Sequence, residues 1–125
     1  MEFTIPVKPR TKKNSQQLVT LKKTGRQILL PSKAYKEFEK EVVTFIENNF
    51  GNLEPIDIPI NLSCVFYKDK NYKSDLAGYM QAIQDALVKA KLLLDDNSNI
   101  VHSMDGSRVE LDRKNPRIEV KITKI

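Results

Sequence analysis

The sequence predicts an α/β (α+β) fold in which two helices pack on a mixed β-sheet, and three observations carry that expectation. Two segments place apolar residues at helical spacing, several shorter ones alternate apolar with polar residues, and their order reads β-hairpin-α-β-α-β-β. The strand-helix-strand unit from 60 to 104 is expected to cross over right-handed. With 125 residues and 40% hydrophobic content, the chain suits one domain over 1–125 with one core, and leaves no room for a second.

The elements follow in order. In EFTIPV, Phe3, Ile5 and Val7 share one face of a strand that Pro6 pushes toward an edge or its end. A loop, KPRTKKNSQ, leads into Leu18–Leu21 and Gln27–Leu30, a hairpin whose Gly25 supplies the positive φ of the turn. Pro31 and Ser32 stop the chain and cap a helix over 33–48 whose buried stripe is Tyr35, Phe38, Val42, Phe45 and Ile46. That helix is assigned to packing. Residues 59–67 read as a second main strand, with Ile60, Leu62, Cys64 and Phe66 on one face. Ser74 or Asp75 caps the next helix, where Leu76, Met80, Ile83 and Leu87 form the core stripe with Tyr79 and Ala90 beside it. Asp95 to Asn99 turn, Ile100 to Met104 form a strand, and the alternations at 109–111 and 118–122 read as a hairpin joined through 113–116.

Composition narrows the chemistry. No 18-residue apolar run and no charged-then-apolar leader occur, so neither a membrane span nor a secretory signal is expected and the cytoplasm is the expected location. Cys64 is the only cysteine and His102 the only histidine. Cysteine-based zinc sites are thereby excluded, Cys64 reads as a small buried hydrophobe, and any metal chemistry falls to carboxylates, which favour Mg²⁺ or Mn²⁺. The net charge of +5 and a pI near 9.3 agree with a polyanionic partner. Lys8, Arg10, Lys12, Lys13, Lys22, Lys23 and Arg26 crowd the first quarter, and Lys68, Lys70 and Lys73 run directly into Asp75. These ten are the candidate DNA-binding cations, holding phosphates rather than reading bases.

The acids give the chain its chemistry. Asp75 stands at the start of the second helix, where the helix dipole favours an anion. Asp85 lies almost opposite the apolar stripe, and Asp95-Asp96-Asn97 close the tract. Oxygen ligands placed around one helix are what a divalent cation facing a phosphodiester requires. At these residues the chain resembles the RusA family of Holliday junction resolvases, whose pattern is roughly D-x-D-N...K...D-A-L...G...D-D. Aligned on Asp85-Ala86-Leu87, the family's first Asp falls on Asp75 and its closing pair on Asp95-Asp96. Its second Asp falls on Ala77, its Asn on Gly78, its Lys on Gln81 and its Gly on Lys91; the opening FTIPVKPRTKKN is similar more loosely.

The resemblance implies a RusA-like endonuclease domain. It would cleave four-way DNA junctions by metal-dependent hydrolysis in recombination and repair, as a homodimer suited to a two-fold substrate. Asp75 and Asp96 match the family's catalytic acids, and Asp95 is a further candidate ligand or a neighbour of one. Asp85 has no role that follows from its position beyond a surface pair with Lys89 at i+4. Lys73 or Lys89 could restore the charge absent at Gln81, and Asp95 the acid absent at Ala77. A catalytically inactive DNA-binding relative of the same fold is the alternative that these substitutions allow. The third reading is a small interaction protein in which the acidic tract only makes a turn. Fifteen residues of helix rise about 21 Å, so Asp75 and Asp96 stand at opposite ends unless 91–96 doubles back along the helix or a dimer shares the site.

Overall fold

In the computed structural model, which describes residues 1–12 and 16–125, a mixed sheet is covered on one face by two helices. Its strands are β1 (Glu2–Ile5), β4 (Ile60–Lys68), β5 (Val101–Ser103), β6 (Arg108–Leu111) and β7 (Arg117–Lys124). β2 (Gln16–Thr20) and β3 (Gln27–Pro31) pair only with each other, as an antiparallel hairpin turned by Gly25 at φ +66°. β4 is the centre of the main sheet. β7 pairs antiparallel along one side of it and carries the edge strand β1, after which Pro6 follows directly. β5 and β6 share the other side, both parallel to β4.

That arrangement departs from the expected C-terminal hairpin. β6 and β7 lie on opposite sides of β4 and do not pair, so residues 112–116 pass across the end of the central strand. The connection is locked by polar contacts. Asp112 Oδ1 accepts from the backbone N–H groups of Lys114 and Asn115, and Arg117 Nη1 donates to Asp112 Oδ2 at 2.8 Å. The alternation at 109–111 and 118–122 is satisfied equally well by two strands flanking a third, because it fixes which face is buried and not which neighbour is paired.

α1 (Lys33–Phe50) starts as expected, with Ser32 Oγ accepting from Tyr35 N. It buries Tyr35, Phe38, Val42 and Ile46, while Phe45 is half-buried and faces Phe3 of β1. α2 (Leu76–Lys89) lies beside it and buries Tyr79, Met80, Ile83 and Leu87 over β4. Phe66 of β4 stacks on Tyr79 with ring centroids 5.1 Å apart. Leu76 leaves the expected stripe, being 38% exposed at the first helical residue, beyond the edge of the core. Cys64 is fully buried, and burial alone pushes its thiol up to about 12, which leaves it without nucleophilic character. Among the described residues, no helix is long and apolar enough to cross a membrane.

The exit from α2 aims the acidic loop. Leu92 N–H bonds Leu87 O and Lys91 N–H bonds Val88 O, the paired closure of a Schellman motif, with Leu87 and Leu92 both buried beneath it. Leu93 then bridges to Ile56, so the chain reverses into the core and returns to the surface at Leu94, just before Asp95. This closure puts Lys91 at φ +64°, where a Cβ is disfavoured and glycine is the usual occupant. Replacing Lys91 with Gly is therefore expected to stabilise the protein by roughly 1 kcal/mol, read from the midpoint of chemical denaturation. A lower midpoint would show that the Lys91 side chain, not the backbone angle, is what matters there.

Candidate metal and nucleic-acid site

The three elements that carry the candidate residues meet along α2. Asp75 is its N-cap residue, and its side chain makes no capping hydrogen bond to the helix. Two and three residues later stand Ala77, exposed, and Gly78, half-buried. The segment of residues 6–12 lies across this end of the helix. Lys8 Nζ pairs with Asp69 Oδ2 at 3.1 Å, Arg10 acts electrostatically on Tyr72, and Thr11, 3% exposed, packs against Gly78. A Cβ at residue 78 would stand 3.2 Å from Thr11 Cγ2, so the missing side chain lets Thr11 seat closely on the helix.

Further along, Gln81, Asp85 and Lys89 share one face at successive i+4 positions. The expected Asp85–Lys89 pair does not form. Lys89 Nζ reaches across to Glu39 of α1 at 2.7 Å, while Asp85 takes Gln81 Nε2 at 3.3 Å and faces Lys12 Nζ at 4.0 Å. Inter-element partners were beyond reach of a reading based on one helix. Lys12 also sits 5.7 Å from the centre of the Tyr35 ring.

The acidic loop is internally organised. Asp95 Oδ1 accepts from Asp96 N–H at 2.7 Å, and Asp95 Oδ2 from Asn97 Nδ2 at 3.0 Å, which fixes the Asp95 carboxylate over the turn. Burial first, then Asp95 and at longer range Asp85, raise the Asp96 carboxyl above the ordinary aspartate range. A group of anions in this state gains from a cation. Asp96 thus has Asp95 and Asp85 as electrostatic neighbours. Asp75 is ten residues and about 15 Å of helix rise from Asp85. Among the described residues, no three of His, Cys, Asp and Glu come together to hold one ion. Mg²⁺ bound through one or two carboxylates, with water and phosphate completing its shell, needs no such cage, and the hard oxygen donors present fit that mode.

The candidate cations divide into three settings. Lys22, Lys23 and Arg26 are exposed around the hairpin turn, and Lys70 and Lys73 are exposed before α2. Lys68 is half-buried and committed, donating to Tyr72 O at 2.7 Å, and Lys8, Lys12 and Lys89 are paired as above. Arg10 is half-buried. Lys13 lies outside the described residues. Asp69, by sequence only the start of a polar loop over 69–72, is more than that: its Oδ2 holds Lys8, while its Oδ1 is buried with no hydrogen-bond partner among the described residues. Its signal, an acid six residues before Asp75, was indistinguishable from an ordinary turn residue.

A search of the curated proteins finds no match to the sequence. The family model for the endodeoxyribonuclease RusA, by contrast, matches residues 6–123, which takes in the N-terminal segment, both helices and the acidic loop. The chain belongs to the RusA endodeoxyribonuclease family.

Proposed function

We propose that this protein is a structure-selective endodeoxyribonuclease that resolves four-way DNA junctions by metal-dependent phosphodiester hydrolysis. The family match over nearly the whole chain is the observation that carries the reading. The cation, Mg²⁺ or Mn²⁺, would be held by Asp96 with Asp95, or by Asp75, and would supply charge neutralisation at the phosphate. The chain's own contribution is the placement of these acids. Asp95 is oriented by its turn, so that Asp96 offers a carboxylate whose affinity for a cation is heightened by its like-charged neighbours. Lys12, beside Asp85, brings an ammonium to the helix face where the family's Lys would project from residue 81. Lys22, Lys23, Arg26, Lys70 and Lys73 are suited to hold backbone phosphates.

Asp75 stands at the start of α2 and Asp96 in the loop after its end, and a homodimer that pairs Asp75 of one copy with the loop of another would join them at a two-fold junction. The second reading is a junction-binding relative without catalysis. It is favoured by one observation: within the described residues of one chain no three metal-binding groups assemble.

Cleavage of a labelled four-way junction separates the two. Paired nicks are expected with Mg²⁺ or Mn²⁺, none with EDTA, and a loss of at least about a hundredfold in Asp75→Asn and in Asp96→Asn with DNA binding retained. Tight binding without nicks in any metal would establish the non-catalytic reading. Ala77 is exposed, so Ala77→Asp is accommodated without repacking and is expected to raise the metal-dependent cleavage rate; an unchanged rate with unchanged metal affinity would show that residue 77 faces away from the site. Because the Asp96 carboxyl is raised in the folded state, its ionisation opposes folding, and the associated stability is lost as pH rises through that value. Asp96→Asn is therefore expected to raise the Tm at neutral pH in the absence of metal, and a lower Tm would count against the crowded-anion account.

A further inference from the structure

A cleft of about 630 Å³ lies between α1 and α2, lined by Lys12, Tyr35, Lys36, Glu39, Lys40 and Lys89 among others. Four ammonium groups and one carboxylate make its charged lining 4 − 1 = +3. The cations come from three separate elements: the N-terminal segment, α1 and the end of α2. Two of the four are already answered, Lys89 by Glu39 at 2.7 Å and Lys12 by Asp85 at 4.0 Å. Lys36 and Lys40 are exposed, one helical turn apart on the same face, and no ion pair is formed by either among the described residues. Like charges at this spacing repel along a helix, so they gain from an anion between them.

The floor of the cleft has the complementary chemistry. The Tyr35 hydroxyl is buried with no hydrogen-bond partner among the described residues. Burial, then the charges of Glu39 and Asp85, push it up to about 12, so it remains a donor at neutral pH. The cleft also connects to the acids, because Lys12 lines it and faces Asp85, whose charge is felt at Asp96.

We infer that this cleft is a binding site for the phosphodiester backbone of a DNA strand that continues past the acidic loop, with Lys36 and Lys40 of α1 as its principal contacts. The inference rests on the DNA reading above and gives α1 a role beyond packing. Such a site holds charge and not sequence, so its signature is the salt dependence of affinity.

The test measures affinity for a labelled four-way junction in EDTA over a range of salt concentrations. Three proteins are compared: the wild type, K36Q/K40Q, and K121Q/K124Q, which removes the same net charge from β7, where Lys121 faces Glu2 at 3.5 Å on the other side of the sheet. In K36Q/K40Q the affinity is expected to fall on the order of tenfold and the salt slope by about two, while K121Q/K124Q stays within about twofold of the wild type. Equal losses in the two doubles would reduce the cleft to its share of net charge and overturn the proposal. A K36Q/K40Q protein that binds like the wild type would overturn it too, leaving the DNA reading intact; if that protein nonetheless loses affinity for thymidine monophosphate, the cleft is a small-anion site. A wild type that binds no junction at any salt would sink both this inference and the function it rests on.

Discussion

The burial of α2 against β4 is the constraint on which the rest of the molecule depends. Phe66 stacks on Tyr79, and Ile83 and Leu87 are fully buried, so the helix is fixed in rotation and in height over the sheet. Once that is settled, the polar residues of the helix have no freedom left. Asp75 must stand at the mouth of the loop leaving β4, Gln81, Asp85 and Lys89 must form one polar row, and the closure at Lys91 must send Leu92 and Leu93 inward before Asp95 emerges. The acids are therefore positioned by apolar contacts made on the other side of the same helix.

Electrostatics then divides the surface around that helix. Asp95 and Asp96 are held together by short hydrogen bonds with Asp85 in electrostatic reach, a grouping that raises the Asp96 carboxyl instead of relieving it. Crowding carboxylates together opposes folding, and such arrangements concentrate where a cation or a reacting group is to be bound. On the neighbouring side, lysines from three elements gather around Tyr35. Lys12 stands where the two regions meet, over the Tyr35 ring and opposite Asp85. An anionic strand passing along this boundary would find cations on one side and a cation-hungry loop on the other.

Departures from the family pattern are connected through the same N-terminal segment. Gly78 stands where the pattern has Asn, and the space it opens is filled by the methyl of Thr11. With Thr11 seated there, the next residue, Lys12, reaches the Gln81–Asp85 row, where the pattern has a lysine on the helix itself. An ammonium from a different element of the chain thus stands beside that row. Asp69, held by Lys8 and with one buried oxygen left unpartnered, is the nearest acid in sequence before Asp75.

Whatever depended on neighbours in the chain was legible in the sequence. The two helical stripes apart from Leu76 and the half-buried Phe45, the Ser32 cap, the turn at Gly25, the alternation in β4 and the edge position enforced near Pro6 all follow from interactions within a few residues, and each is present in the structure. The spacing of Asp75, Asp85 and Asp95-Asp96 was equally plain, and with it the family. Tertiary structure alone decided that β6 and β7 flank β4, that Lys89 answers Glu39 while Asp85 faces Lys12, and that Lys36 and Lys40 line a cleft with residues of two other elements. The physical reason is that periodicity records which face of an element is buried, whereas a strand's neighbours and a charge's partner are set by packing between segments far apart in the chain.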